Sequence, residues 1–222
     1  MEASNPDNSN FQSVIYQGQF GEFTITDSDR QEVTIYRLGL GLVASCLGIG
    51  VSLFVWQGAT SIVLHTLTLL YLVLAIGLGI SLWTIHIYLL PLHRTLQAFW
   101  ALGTLSSVVL MLRYSDPLLL TIYHHPEYIL GIGFLFAALT GIFFKEAFCF
   151  NRIETKGLTL LTPLILLGHL TQLIPPHINL VLISISTVLM MIFALRKAFQ
   201  SRPDDIGDKS VFEYLKRQRT AT

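Results

Sequence analysis

Hydrophobic residues in this chain run in long unbroken blocks. They show neither the alternation of a half-buried strand nor the single apolar stripe of a surface helix. Six stretches contain no Asp, Glu, Lys or Arg: Leu38–Trp56, Ile62–Leu90, Leu96–Leu112, Tyr128–Phe144, Leu158–Ile174 and Ile178–Leu195. Crossing about 30 Å of hydrocarbon takes about 20 residues of helix. Most blocks reach that length once the interfacial residues at their ends are added, and the second is long enough to tilt or protrude. Backbone groups in lipid must find partners within their own segment, so blocks of this kind predict helices. The pattern therefore predicts an all-α fold: a polytopic bundle of six transmembrane helices, with a membrane domain over residues 38–199.

The flanks read differently. Residues 1–12 are rich in Asn, Ser, Asp and Pro and predict disorder. Residues 13–37 predict a short extended or hairpin segment over Val14–Thr26, broken by Gly18 and Gly21, then a surface helix running into the first span. Ser28 and Gln31 have the spacing of a capping box and place that helix start near Ser28. Residues 200–222 form a basic tail, in which Ser210 and Glu213 repeat the capping spacing and Val211, Phe212, Tyr214 and Leu215 flank Lys216, Arg217 and Arg219. Such a helix suits an anionic membrane surface, and a frayed tail whose charges only set topology fits equally well.

Charge distribution tests the parity of the spans. Of 14 Lys and Arg residues, all but Arg113 fall on the side that six crossings assign to the two termini, the Pro91–Thr95 turn and the Lys145–Gly157 loop. The positive-inside rule places that side, side A, in the cytoplasm or stroma. The formal net charge is zero, so bulk charge offers nucleic acid no attraction. Cys46 falls mid-span and Cys149 at a membrane edge, too far apart for a disulfide. Small residues recur every four positions, at Gly41/Ser45, Ala44/Gly48/Ser52, Ala75/Gly79, Gly77/Ser81 and Gly133/Ala137/Gly141. Rows of this type let helix backbones approach closely in lipid.

Candidate chemistry is sparse. No GxSxG, HExxH, Walker loop or GxGxxG ahead of a βαβ unit is present, and a non-catalytic protein is the expectation. No ionisable carboxylate or base lies deep in a block, which argues against an ion-coupled pump. His65, His124, His125, His169 and His177 gather on the far side, side B, without metal-ligand spacing. His169, inside a block with Gln172 three residues on, is the sharpest of them. It could line the polar path of a small transporter or channel, or, with His86, hold a pigment such as chlorophyll or a carotenoid. Interhelical hydrogen bonding is the plainer role for it. No cofactor is otherwise expected. The loop FFKEAFCFNRIETKG concentrates Lys145, Glu146, Phe148, Phe150, Arg152, Glu154 and Lys156. It reads either as a topogenic loop or as a docking surface for a partner protein or for the chain's own N-terminal segment.

Two stretches, QGQFGEFTITDSDRQEVTIYR (Gln17–Arg37) and GIFFKEAFCFNRIETKG (Gly141–Gly157), together with the six-span layout, resemble an uncharacterised integral membrane family of cyanobacteria and plastids, domain of unknown function 2301. The resemblance implies a thylakoid or plasma membrane of a photosynthetic organism. It also implies accessory or assembly work on a photosynthetic complex; the concentration of charge and aromatics on side A separately suggests that a membrane-protein partner docks there. The resemblance carries no functional residues.

Overall fold

The computed structural model describes residues 15–87 and 89–220. The disordered stretch expected over residues 1–12 lies outside them. The chain opens with a hairpin of β1 (Ile15–Gly18) and β2 (Gly21–Thr24), antiparallel, with Tyr16 opposite Phe23 and Gln17 opposite Glu22. Helices α1 (Asp27–Gln57), α2 (Ser61–Thr84), α3 (Leu90–Arg113), α4 (Leu118–His124), α5 (Ile129–Phe150), α6 (Ile153–Thr171), α7 (Pro176–Ala198), α8 (Arg202–Ile206) and α9 (Lys209–Thr220) follow, with a 3₁₀ turn at Pro126–Tyr128 leading into α5. The all-α expectation holds, and so does the hairpin.

Local signals account for the boundaries, and some differ from the expectation. The capping box of α1 is Thr26 with Asp29, two residues ahead of Ser28: the Thr26 Oγ1 accepts from Asp29 N at 3.3 Å and Asp29 Oδ2 accepts from Thr26 N at 2.7 Å. From there α1 continues as one helix of 31 residues through the first apolar block. The second block does not stay helical to Leu90. Helix α2 stops at Thr84, where His93 Nε2 and Gln97 Nε2 lie 2.6 and 3.3 Å from the Leu82 carbonyl that the next turn would have used. Pro91 then opens α3 at its first turn, where a missing N–H is harmless. The Lys145–Gly157 segment is hardly a loop: α5 runs to Phe150, Asn151 takes the left-handed conformation at φ 51°, and α6 begins at Ile153. Pro163 lies well inside α6 and denies the Thr159 carbonyl its helical donor.

Among the described residues, five helical stretches are long and apolar enough to cross a membrane: Asp27–Gln57, Ser61–Thr84, Leu90–Arg113, Pro126–Phe150 and Pro176–Ala198. The fifth predicted span is the exception. Helix α6 carries Glu154 and Lys156 near its start and ends at Thr171, short of Ile174. It is nonetheless a 19-residue helix, about 28 Å long, packed between α5 and α7.

The long helices form a closed ring. Neighbours α1–α2, α2–α3, α3–α5, α5–α6 and α6–α7 pack together, and α7 returns to α1. The interior is filled by Leu40, Leu78, Leu135, Ile142, Phe143, Met190 and Phe193, all essentially inaccessible. Helices α1 and α2 approach closely: a Cβ added to Gly39 would lie 2.6 Å from the Gly77 carbonyl oxygen, and Ser81 Oγ donates to the Tyr36 carbonyl at 3.1 Å. So the Gly77/Ser81 row is an internal seam, opposed by Gly39. By contrast, a Cβ at Gly41 would meet nothing within 4 Å.

Candidate functional site

Where the N-terminal parts of α1 and α6 meet the C-terminal ends of α5 and α7, the bundle closes over charge instead of hydrocarbon. Glu146 of α5 is fully buried. It accepts from the Tyr36 phenol at 2.9 Å, from Lys145 Nζ at 3.0 Å and from Lys197 Nζ at 2.5 Å. Lys197 is equally inaccessible and pairs a second time, with Asp205 of α8. Arg37 clamps the other Asp205 oxygen through Nε at 2.8 Å and Nη2 at 2.6 Å, and reaches the Ser201 carbonyl at 3.0 Å. The Lys197 ammonium lies 4.4 Å from the Phe150 ring centroid and 5.5 Å from that of Tyr36. Rings on both sides soften the desolvation of that ammonium.

Charge is nearly balanced within this network. Arg37, Lys145 and Lys197 face Glu146 and Asp205, leaving one surplus cation. Beside it, α6 is fastened to the end of α7 by Arg196 Nη1 on Glu154 Oε2 at 2.9 Å and Arg152 Nη2 on Gln200 Oε1 at 2.7 Å. A buried network of this kind adds little net stability, since desolvation offsets attraction. It does penalise any other alignment of the helices, because a shifted register strands a charge.

A second layer covers the same end. The turn of the hairpin is gripped by the start of α9: Gln19 N donates to Asp208 Oδ2 at 2.6 Å and Phe20 N to Ser210 Oγ at 3.0 Å. The Phe20 and Tyr214 rings stack at 4.0 Å, nearly parallel. Lys209 Nζ meets Asp29 Oδ2 at 2.7 Å, which ties α9 to the first turn of α1. Gly18 is required here, because a Cβ would collide with the Asp208 carboxylate and the Ser210 hydroxyl. Those donors, the Ser210 hydroxyl first and the Gln19 amide next, hold the Asp208 carboxyl below its usual range. Asp208 stands before the start of α9 and takes Ser210 N and Oγ on Oδ1, while Ser210 itself falls inside the helix. The Glu213, Lys216 and Arg219 side chains lie outside those described. Tyr214, on the apolar flank that suited a membrane surface, is stacked on the hairpin.

The residues singled out from sequence separate into two groups. Glu146 and Glu154 are buried ion-pair partners, and Lys145 has only 12% of its side chain exposed. Arg152 and Phe150 are half-buried. Phe148 and Lys156 are exposed, Phe148 at 84%, alongside Ile153 at 81%. The chain's own N-terminal segment does reach this region, through Tyr36 and Arg37. Sequence reading missed Tyr36, Arg37, Lys197 and Asp205 as partners. Tyr36, Arg37 and Lys197 each sit within two residues of a block end, whereas Asp205 lies ten residues beyond one and carried no local signal.

The two histidines lie apart. His86 sits in the connection between α2 and α3, with Nε2 at 3.2 Å from Glu32 Oε2. Burial pushes it below the usual imidazole value, against the pull of the Glu32 carboxylate. His169, at the end of α6, has Nε2 at 3.1 Å from the Ile122 carbonyl of α4. Gln172 takes the left-handed conformation that ends α6 and donates to the His169 carbonyl at 2.6 Å. A pigment or metal at either imidazole would therefore bind through Nδ1. Among the described residues no group of three or more His, Cys, Asp or Glu is gathered to hold a metal ion.

Residues 80–214 match the model of a family described as uncharacterised integral membrane protein, DUF2301. No curated protein and no solved structure matches the chain.

Proposed function

The chain belongs to this integral membrane family, and from that premise we propose that it is a non-catalytic docking protein, an accessory or assembly factor for a larger membrane complex. In this reading all six long helices cross the bilayer, with α6 shielded by α5 and α7 as the sixth. Both terminal segments lie on side A, the cytoplasmic or stromal face. The alternation of helix ends supports it: the start of α1, the end of α5 and the end of α7 meet in one ion-pair network. The 13 cations other than Arg113 belong to that face under the same count.

The observation that carries the docking role is the division of the side-A face. Buried ion pairs brace α1, α5, α7 and α8 from within, while Phe148, Ile153 and Lys156 at the α5–α6 elbow point away from that brace. A partner meets a pre-formed ledge, so little ordering cost falls on binding. The photosynthetic setting, thylakoid or plasma membrane, rests on the resemblance of the Gln17–Arg37 and Gly141–Gly157 stretches alone. Affinity purification of the tagged protein from mildly solubilised membranes tests the role. Phe148→Ser with Lys156→Glu should reduce co-purified partner while membrane insertion stays normal. Unchanged recovery from that pair, or recovery of only the protein itself from wild type, refutes it. Lys145→Glu is the wrong probe, since it strikes the brace.

A further inference from the structure

A groove of about 370 Å³ runs between α3 and the start of α5, on the outer surface of the bundle. Leu105, Ser106 and Val109 form one wall, Gly131 and Tyr128 the other, and Glu127 stands at the mouth. Leu105 and Val109 are 62% and 53% exposed, so the groove opens sideways, where the bilayer would lie. Its shape depends on Gly131, whose missing Cβ would press on Ser106 at 3.0 Å. An apolar slot open to hydrocarbon does not hold water, so an acyl chain is the occupant its walls favour.

The mouth adds selectivity. Leu105, Val109 and Arg113 follow at four-residue spacing, which sets Arg113 one turn beyond the groove on the same wall. Arg113 is exposed, ends α3, and lies near enough for its charge to act on the Tyr128 phenol. It is the one Lys or Arg that the sequence puts on side B. At the mouth, the Glu127 side chain is 59% exposed and engaged on one oxygen by His125 Nδ1 at 3.3 Å. The Tyr114 and Tyr128 hydroxyls are bonded to each other beside them. A guanidinium one turn beyond the groove and a carboxylate at its mouth suit a ligand that offers an anionic oxygen to one and a hydrogen-bond donor to the other.

We propose that this groove is a site for a phospholipid whose headgroup carries hydrogen-bond donors. One acyl chain lies along Leu105 and Val109, the phosphate rests on Arg113, and a headgroup donor reaches Glu127. The site is separate from the docking face and depends only on the membrane placement of α3 and α5. Native mass spectrometry of the full-length protein, titrated with phosphatidylglycerol or phosphatidylcholine, tests it. Phosphatidylcholine has the phosphate but no donor. Wild type should retain phosphatidylglycerol about tenfold more strongly. Arg113→Gln should lower phosphatidylglycerol retention by a similar factor, and Val109→Phe, filling the groove at an exposed position, should remove both lipids. Equal retention of the two lipids by wild type, or unchanged phosphatidylglycerol retention in Arg113→Gln, overturns the proposal. So does undiminished retention in a folded Val109→Phe. If Val109→Phe fails to fold, the surface substitution Arg113→Gln decides.

Discussion

Glu146 and Lys197 are the residues on which the charged end of the bundle turns, because each is inaccessible and each serves two elements. Removing one partner of a buried pair leaves the other charge without compensation, at a cost of about 3–5 kcal/mol. Lys197→Met should therefore destabilise the protein by about 3 kcal/mol or more, read as a shift in the detergent-denaturation midpoint. The double substitution Glu146→Gln with Lys197→Met should cost less than the sum of the two singles. Additive losses would mean that the pair is not coupled. Gly39 makes a different kind of argument. Its neighbour across the seam is the backbone of Gly77, which cannot yield as a side chain can. Gly39→Leu should force α1 and α2 apart and lower the denaturation midpoint, whereas Gly41→Leu, where a Cβ meets nothing within 4 Å, should leave it near wild type.

At the scale of elements, α8 and α9 are what the hairpin and the buried network share. Deleting residues from 201 onward removes Asp205, which strips Arg37 of its carboxylate and leaves Lys145 and Lys197 on Glu146 alone. It also removes the grip of Asp208 and Ser210 on the turn of the hairpin. The expected result is rapid proteolysis of residues 15–24 in the truncated protein and protection in the intact one. Equal protection would show that the hairpin needs no tail. The grip should also respond to acid. Asp208 has a carboxyl held below its usual range, so its contribution is complete above about pH 4 and is lost as pH falls through the lowered value. Spin labels on the hairpin and on α9 should separate on that acidification, and Asp208→Asn should already be separated at pH 7.

Over the whole molecule, the helical blocks were legible because charge-free runs leave a chain in lipid few alternatives. The hairpin was legible too, from aromatic and β-branched residues punctuated by Gly18 and Gly21. Boundaries were less so. Charge was taken to end a span, yet α5 runs on through Lys145 and Glu146 because Glu146 pairs with Lys145 beside it and with Lys197 of α7, and takes a hydrogen bond from Tyr36 of α1. Tyr36 and Lys197 lie 110 and 51 residues away, beyond any local pattern. The same distance hid the candidate site, since Asp205 and Arg37 read as a tail charge and a topogenic charge until the fold joins them. Sidedness remains the claim from which the docking face follows. Single cysteines at Thr24, Lys156, Asp204 and Asp116, all exposed positions, in a background with Cys46 and Cys149 replaced by Ser, test it through a membrane-impermeant thiol label on sealed vesicles of known orientation. The account predicts labelling of Thr24→Cys, Lys156→Cys and Asp204→Cys from the cytoplasmic or stromal face and of Asp116→Cys only from the other. Labelling of Thr24→Cys and Asp204→Cys from opposite faces would contradict it.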